Sequence, residues 1–392
     1  MNRIVKKVEA VMADSTGSSV LSFGAFLLML SSVYGGCVKL RQNIYSRRIL
    51  QPKRLPCIVI SVGNLTLGGT GKTPMTMLVA ERFQHLGYKV VVISRGYKGR
   101  AEKTGGVVSD GRTILMGPEV AGDEPYMMAM RLENVPVIVG HNRFEAGMLA
   151  VKEFNPDVLV LDDAFQHLKL ERDLDLVLLD YRRPFGNMHL LPRGILREPI
   201  SALLRGDAFI LTRSDAAPDS ETATYLAQLK RYLRGKPIFR AFHVPNIKVV
   251  AKGSEASIGR KFRRSSTFGN KFLKGRHVFA FSGLANNHDF HGTLAGLDCV
   301  VTGTLEFPDH HPYSVMELEN IVRSAKGTQA DFLVTTEKDY ARVAHRIKWP
   351  MDLAIIGIDS VFGEDEEAFN GFVKSRIAAL TSKDNKAWKN RQ

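Results

Sequence analysis

Residues 58–73 read IVISVGNLTLGGTGKT, and the fold follows from this stretch. Ile58, Val59, Ile60 and Val62 are apolar and β-branched, the residue types that fit a buried strand. The run gives way to a glycine-rich loop, and over 73–87 apolar residues (Met77, Leu78, Phe83, Leu86) recur at helical spacing. Strand, loop and helix in that order are the context of a phosphate-binding P-loop. Gly68, Gly69 and Gly71 let backbone amides approach an anion. The helix start adds partial positive charge. Lys72 is placed to reach the β/γ-phosphates and the Thr73 hydroxyl to sit on Mg²⁺. Pro74 suits the first helical turn. The strict pattern opens with glycine where this chain has Thr66. The candidate nucleotide loop is Thr66, Leu67, Gly68, Gly69, Thr70, Gly71, Lys72 and Thr73.

The 392 residues suffice for two domains. The formal charge of +14 points to an anionic partner: nucleic acid, an acidic membrane surface or a phosphorylated substrate. Cys37, Cys57 and Cys299 are scattered and odd in number, which argues for a reducing compartment without a disulfide framework or zinc site.

Upstream of the loop, residues 15–38 carry no charge. Their apolar core, 20–38, would span roughly 28 Å as a helix, about one hydrocarbon core. Glu9 and Asp14 interrupt the basic head a signal peptide would need. The reading is a retained membrane anchor, spanning or lying in the interface; a long buried core helix is the alternative. Lys39, Arg41, Arg47, Arg48, Lys53 and Arg54 form a basic collar that marks the cytoplasmic side and attracts anionic lipid. Residues 1–50 form this anchor and collar.

Downstream, strands and helices alternate through 51–236, the nucleotide-binding domain. Residues 122–125, GDEP, open a helix; Asp123 is a candidate cap. Residues 157–167, DVLVLDDAFQH, end an apolar strand in Asp162 and Asp163. Ligands gather at that edge of an open α/β sheet, and carboxylates facing a P-loop hold Mg²⁺ there. The irregular stretch 181–199 carries Arg182, Arg183, Arg193 and Arg197, guanidinium forks suited to phosphate. Residues 237–251 read as two short strands around Pro245, a linker between halves. The basic loop 253–276 is assigned no site. Alternation resumes in a second α/β domain, 252–392, with a strand expected at 297–301. There, Asp309, His310 and His311 share a turn, and TTEKD (335–339) ends a strand.

The ordered set SVGNLTLGGTGKTP, SRGY, GDEP, GHNR, LDDAFQH, LPRGILREP, FPDHH and TTEKD resembles the tetraacyldisaccharide 4′-kinases, the lipid A 4′-kinases. The resemblance runs from the apolar helix to near the C-terminus. It implies two α/β/α sandwich domains, the first P-loop NTPase-like, joined by a two-stranded linker. The implied reaction is ATP-dependent phosphorylation of the 4′-hydroxyl of a tetraacylated glucosamine disaccharide 1-phosphate, giving lipid IVA at the cytoplasmic face of a bacterial inner membrane. Carried over by motif, 66–73 is the ATP loop. Asp123 is the base for the sugar hydroxyl, assisted by His310, with Lys72 on the phosphates. Thr73, Asp162 and Asp163 place Mg²⁺. Arg95 and Arg143 meet the acceptor's phosphate, and Arg197 and Glu198 complete the substrate set. Ala164 stands where the family often has glycine.

A membrane-associated P-loop NTPase switch or energy-coupling protein without a lipid acceptor is the competing reading. Nucleic-acid binding rests on charge alone, since no RNA- or DNA-binding module is present. An obligate protein partner is not inferred.

Overall fold

The computed structural model describes residues 7–8, 10–12, 22–214, 227, 229, 232–233, 235–251, 272–284, 287–344 and 346–389. Most of the basic loop 253–276 and the start of the uncharged stretch lie outside them. Helix α1 (Phe23–Ser46) precedes the glycine-rich unit, β1 (Ile58–Asn64) and α2 (Lys72–His85). Then come β2 (Val90–Ser94), β3 (Gly106–Ser109), α3 (Pro118–Ala121), α4 (Asp123–Arg131), β4 (Val137–Val139), α5 (Arg143–Phe154), β5 (Val158–Asp162), β6 (Leu174–Asp180) and β7 (Ala208–Thr212). Strand β8 (Ile238–Ala251) leads to β9 (His277–Ser282), α6 (Asn287–Gly296), β10 (Val300–Glu306), α7 (Val315–Gly327), β11 (Phe332–Thr336), α8 (Glu337–Val343), β12 (Leu353–Val361) and α9 (Glu366–Lys389). The strand expected at 297–301 starts at Val300, because Leu297 closes the turn after α6.

The strands form one sheet in the order β10-β9-β11-β12-β8-β7-β6-β1-β5-β2-β4-β3. Every residue of β1 is buried, as a continuous apolar run in a parallel sheet requires. Alternate β1 residues serve opposite faces. Ile58, Ile60 and Val62 pack with Met77, Val79 and Phe83 of α2 and Met127 and Met130 of α4. Val59 joins Leu159, Leu161, Ala146 and Ala150 on the α5 side. The second half repeats this layering. Phe279, Phe281 and Leu333 pack on α7 through Leu318 and Ile321, and Val278, Ala280 and Val334 meet Phe290 and Leu294 of α6. Ser314 and Glu317 close a capping box at the start of α7.

Strand β8 joins the halves. It runs parallel to β7, Phe209 opposite Ile238, then antiparallel to β12, Leu353 opposite Ala251. The two short strands expected around Pro245 are one strand of 14 residues, with Pro245 opposite Ile358. The second strand of the connection is β12. The register shifts between Ile355 and Ile356, whose partners are Val249 and Ile247. That bulge sets Lys248 apart, and its ammonium pairs with Asp359.

Helix α1 lies against the first half. Gly24, Leu27, Ser31 and Gly35 face the protein. Ser31 Oγ donates to Leu190 O at 2.8 Å, Tyr34 OH to Arg197 O at 2.8 Å and Arg41 Nη2 to Gln166 O at 2.8 Å. Phe26, Met29 and Val33 are exposed. The helix is long and apolar enough to cross a membrane.

Candidate active site

Gly71 caps α2 with φ 76° and Gly68 has φ 106°, left-handed backbone that glycine adopts without strain. The His243 ring of β8 occupies the space a side chain on Gly71 would need. The Asn64 side-chain amide donates to Thr70 Oγ1 at 2.8 Å and to Thr66 Oγ1 at 3.4 Å. Thr66 also pairs with Leu196, and Leu67 N–H donates to Ile195 O at 2.8 Å. A threonine in the usual glycine place thus ties the loop to the 181–199 segment. Lys72 and Thr73 open α2.

Strand β5 runs beside β1 with Asp162 opposite Val62, so its carboxylates emerge next to the loop. Asp162 is buried and accepts from Thr76 Oγ1 at 3.0 Å and Ser94 Oγ at 3.2 Å. Burial, then the charges of Glu124 and Asp163, push its carboxyl up to about 7. Burial also opposes ionisation of Asp163, but Lys72 and Arg197 outweigh it and hold this carboxyl below the usual range. Arg197 Nη1 donates to both Asp163 oxygens at 2.9 Å, and Lys72 Nζ is 4.0 Å from Oδ2. Asp163 therefore has its cations within the protein. Asp162 is a buried carboxylate with hydroxyl partners and acidic neighbours, an environment that an added divalent cation would relieve. Mg²⁺ takes one or two carboxylates and otherwise waters and phosphate oxygens, and the chemistry of Asp162 fits one of those carboxylates.

The candidate substrate arginines differ. Arg95 is half exposed and donates to Glu102 at 2.7 Å; its guanidinium lies 5.7 Å from the Tyr97 ring centroid. Arg143 is only 4% exposed. It donates to Gly140 O at 2.6 Å and Asp162 O at 3.3 Å, and burial pulls it down to about 10. It braces the end of β5 from within, so it is not presented to an acceptor phosphate here. Glu198 is also buried, held by Arg205 at 2.5 Å. It anchors the 181–199 segment. Neither burial is visible in a motif, which records residue type and not direction.

Asp123 is the first residue of α4, and the cap position is Gly122. The Asp123 side chain does not cap the helix. It turns to the second half, where Oδ2 is 2.8 Å from His310 Nδ1 and accepts from Arg342 Nε at 2.7 Å. Lys338 Nζ is 3.4 Å from His310 Nε2 and 3.1 Å from Asp309. Arg342 Nη2 is 3.3 Å from Nδ1, so a cationic donor stands at each ring nitrogen of His310. Burial raises the Asp123 carboxyl. The His310 hydrogen bond and the Arg342 charge outweigh it and hold the group below the usual carboxylate range. The pair opens on a cavity of about 150 Å³ lined by Tyr97, Lys98, Glu119, His311, Arg342 and Arg346 among others. The Tyr97 ring stands edge-on to His310, centroids 6.1 Å apart. Glu124, next to Asp123 on α4, is one of the charges that raise the Asp162 carboxyl.

Sequence reasoning passed over Arg342, Lys338 and Tyr97 as site residues. Their signal was positional: TTEKD ends a strand on the ligand-bearing edge, and Tyr97 follows SRG at the end of β2.

The family profile described as tetraacyldisaccharide-1-P 4′-kinase matches residues 23–378. A tetraacyldisaccharide 4′-kinase of Desulfatibacillum aliphaticivorans is 38% identical over 377 residues, covering 96% of this chain and 99% of the relative. One from Syntrophus aciditrophicus is 40% identical over 346 residues, covering 86% and 89%. The solved structure of LpxK from Aquifex aeolicus in complex with ATP superposes with a TM-score of 0.72 at 31% identity, covering 91% of this chain and 99% of that one. With a profile match over most of its length and relatives of this similarity, the chain belongs to the tetraacyldisaccharide-1-P 4′-kinase family.

Proposed function

We propose that the chain transfers the γ-phosphoryl group of ATP to the 4′-hydroxyl of a tetraacylated glucosamine disaccharide 1-phosphate, giving lipid IVA. Family membership supports this reaction. The observation that carries the mechanism is the Asp123–His310 contact across the two halves, opening on a cavity. Loop amides and Lys72 hold the triphosphate and neutralise its charge. Thr73, Asp162 and Asp163 would hold Mg²⁺, which when bound supplies further charge neutralisation on the phosphates. Arg197 keeps Asp163 oriented, and Arg143 supports Asp162 from behind.

The acceptor oxygen bonds to the γ-phosphorus while the bond from that phosphorus to the β–γ bridging oxygen breaks. ADP leaves with that electron pair. The hydroxyl proton passes to the Asp123–His310 pair, whose titration belongs to both members. Asp123 Oδ2 and His310 Nδ1 stand 2.8 Å apart to share that proton. Arg95 and Tyr97 flank the acceptor's approach.

The reaction sits at a membrane because a four-chain lipid leaves a bilayer only at ~0.8 kcal/mol per CH₂. Helix α1 is held to the body from Gly24 to Arg41. These contacts favour a helix lying in the interface, one face on protein and Phe26, Met29 and Val33 in lipid. The basic collar then meets anionic headgroups at the cytoplasmic face of the inner membrane. The halves 51–236 and 252–392, joined through 237–251, act as nucleotide and acceptor domains.

The test is incubation of the purified chain with ATP, Mg²⁺ and a 1-phosphorylated tetraacyl disaccharide in mixed micelles, followed by mass spectrometry. One added phosphate at the 4′ position is expected. ATP hydrolysis indifferent to the lipid, with no phosphorylated product, overturns the proposal in favour of an NTPase switch.

A further inference from the structure

Helix α4 carries Asp123 at its first residue and Arg131 at its last, and one helix of the other half grips both ends. At the start of α8, Glu337 Oε2 accepts from Arg131 Nη1 at 3.3 Å. Arg131 also donates to Ile358 O at 3.1 Å and pairs with Asp359. Near the end of α8, Arg342 reaches Asp123. Its side chain is 6% exposed, and its planar fork is divided among four partners, one of them Gly283 O at 3.5 Å from Nη1. Nε donates to Asp123 Oδ2 at 2.7 Å, Nη1 donates to Asp339 Oδ1 at 3.0 Å, and Nη2 is 3.3 Å from His310 Nδ1.

Asp339 is wholly buried and is itself fixed. It accepts from Tyr313 OH at 3.0 Å, Thr336 Oγ1 at 2.7 Å and Gly283 N–H at 3.1 Å. The guanidinium is therefore set by the second half before it meets Asp123. Because Oδ2 of Asp123 receives both Arg342 and His310, the carboxylate's direction is specified from two sides.

We infer that Arg342 is a positioning residue for the proton-accepting pair: it holds Asp123 as an aimed anion against His310, with Glu337 fixing the far end of the same helix. A lysine cannot reproduce this, since a point ammonium lacks the fork that spans two carboxylates. The charged and titratable groups facing Asp123 are Glu124 on its own helix, Glu119 on α3, Asp309, His310 and His311 in the turn after β10, Lys338, Asp339 and Arg342 on α8, Arg346 beyond it, and Tyr97 and Lys98 after β2. Arg342 is the cation in direct contact, so its removal lets the pair take up a proton at higher pH.

The inference rests on the kinase reading above. The experiment measures phosphate transfer to the lipid disaccharide by the full chain in mixed micelles, parent beside Arg342→Gln and Arg342→Lys. Both variants should lose kcat on the order of 10²-fold, the scale of a small misplacement of a reacting group, while the ATP KM stays at the parent's value. In Arg342→Gln the acid limb of the kcat/KM profile should move to higher pH; in Arg342→Lys, which keeps the charge, it should stay in place. A uniform loss with an unmoved limb in Arg342→Gln overturns the inference and leaves a structural role. Full turnover by Arg342→Lys also overturns it, and this arm decides if the glutamine variant fails to fold. A parent without transfer would instead defeat the kinase reading.

Discussion

His310 Nδ1 lies 2.8 Å from Asp123 Oδ2, although 187 residues separate them in the chain. The first belongs to the turn after β10 and the second to α4. Asp123→Asn or His310→Ala should therefore lower kcat for lipid phosphorylation on the order of 10²–10⁴-fold, with the ATP KM little changed. Steady-state kinetics with saturating lipid check this, and full turnover by both variants would sink the pair as proton acceptor.

Lys72 is the loop cation beside Asp163. Lys72→Met should reduce kcat by about 10²–10³-fold, the range for removing one preorganised oxyanion donor. The thermal midpoint without nucleotide should stay close to the parent's, whereas ATP should no longer raise it. Undiminished stabilisation by ATP would show that the triphosphate is gripped elsewhere.

His167 titrates far from its ordinary 6.5. Burial, with Arg143 and Arg172 nearby, lowers it to about 4, and its Nε2 has no hydrogen-bond partner among the described residues. The folded state disfavours the proton, so the unfolded chain binds more of it below pH 6.5. Stability should fall as pH drops from about 6.5 to about 4 and then cease to depend on this group. Denaturant midpoints across that window should fall less steeply for His167→Gln; identical slopes for parent and variant would remove the assignment.

Phe26, Met29 and Val33 are exposed on α1, while its other face is docked through Ser31 and Tyr34. Replacing the three by serine should abolish sedimentation with anionic vesicles without lowering the thermal midpoint, because these side chains touch little protein. Retained vesicle binding would mean the helix is not the lipid contact. Gly35→Leu tests the docked face, where an added side chain meets Leu190, and should lower the midpoint.

The P-loop unit, the parallel strands and the acidic end of β5 were legible because each has a local pattern: a β-branched run, a glycine cluster, carboxylates closing an apolar segment. The Asp123–His310 pairing was legible only through family motifs, since no local rule joins residues so distant. Burial was not legible. Arg143 and Glu198 have the right chemistry for ligand contact but lie under the surface, and side-chain direction at a helix start or in an irregular segment depends on packing against other elements. The single strand β8 was missed for a related reason. Pro245 cannot donate to a ladder and argues for a break, yet the strand continues past it on β12. Arg342 was missed because its meaning lies in Asp339 and Asp123, one on each side of the cleft.

The division of the acceptor machinery between the halves bears on productive transfer. A first half separated from its partner would keep the glycine loop, Lys72 and the paired aspartates, but Asp123 would lose both His310 and Arg342. On the proposed mechanism, nucleotide bound there would lack an assembled proton acceptor, so productive transfer requires both halves.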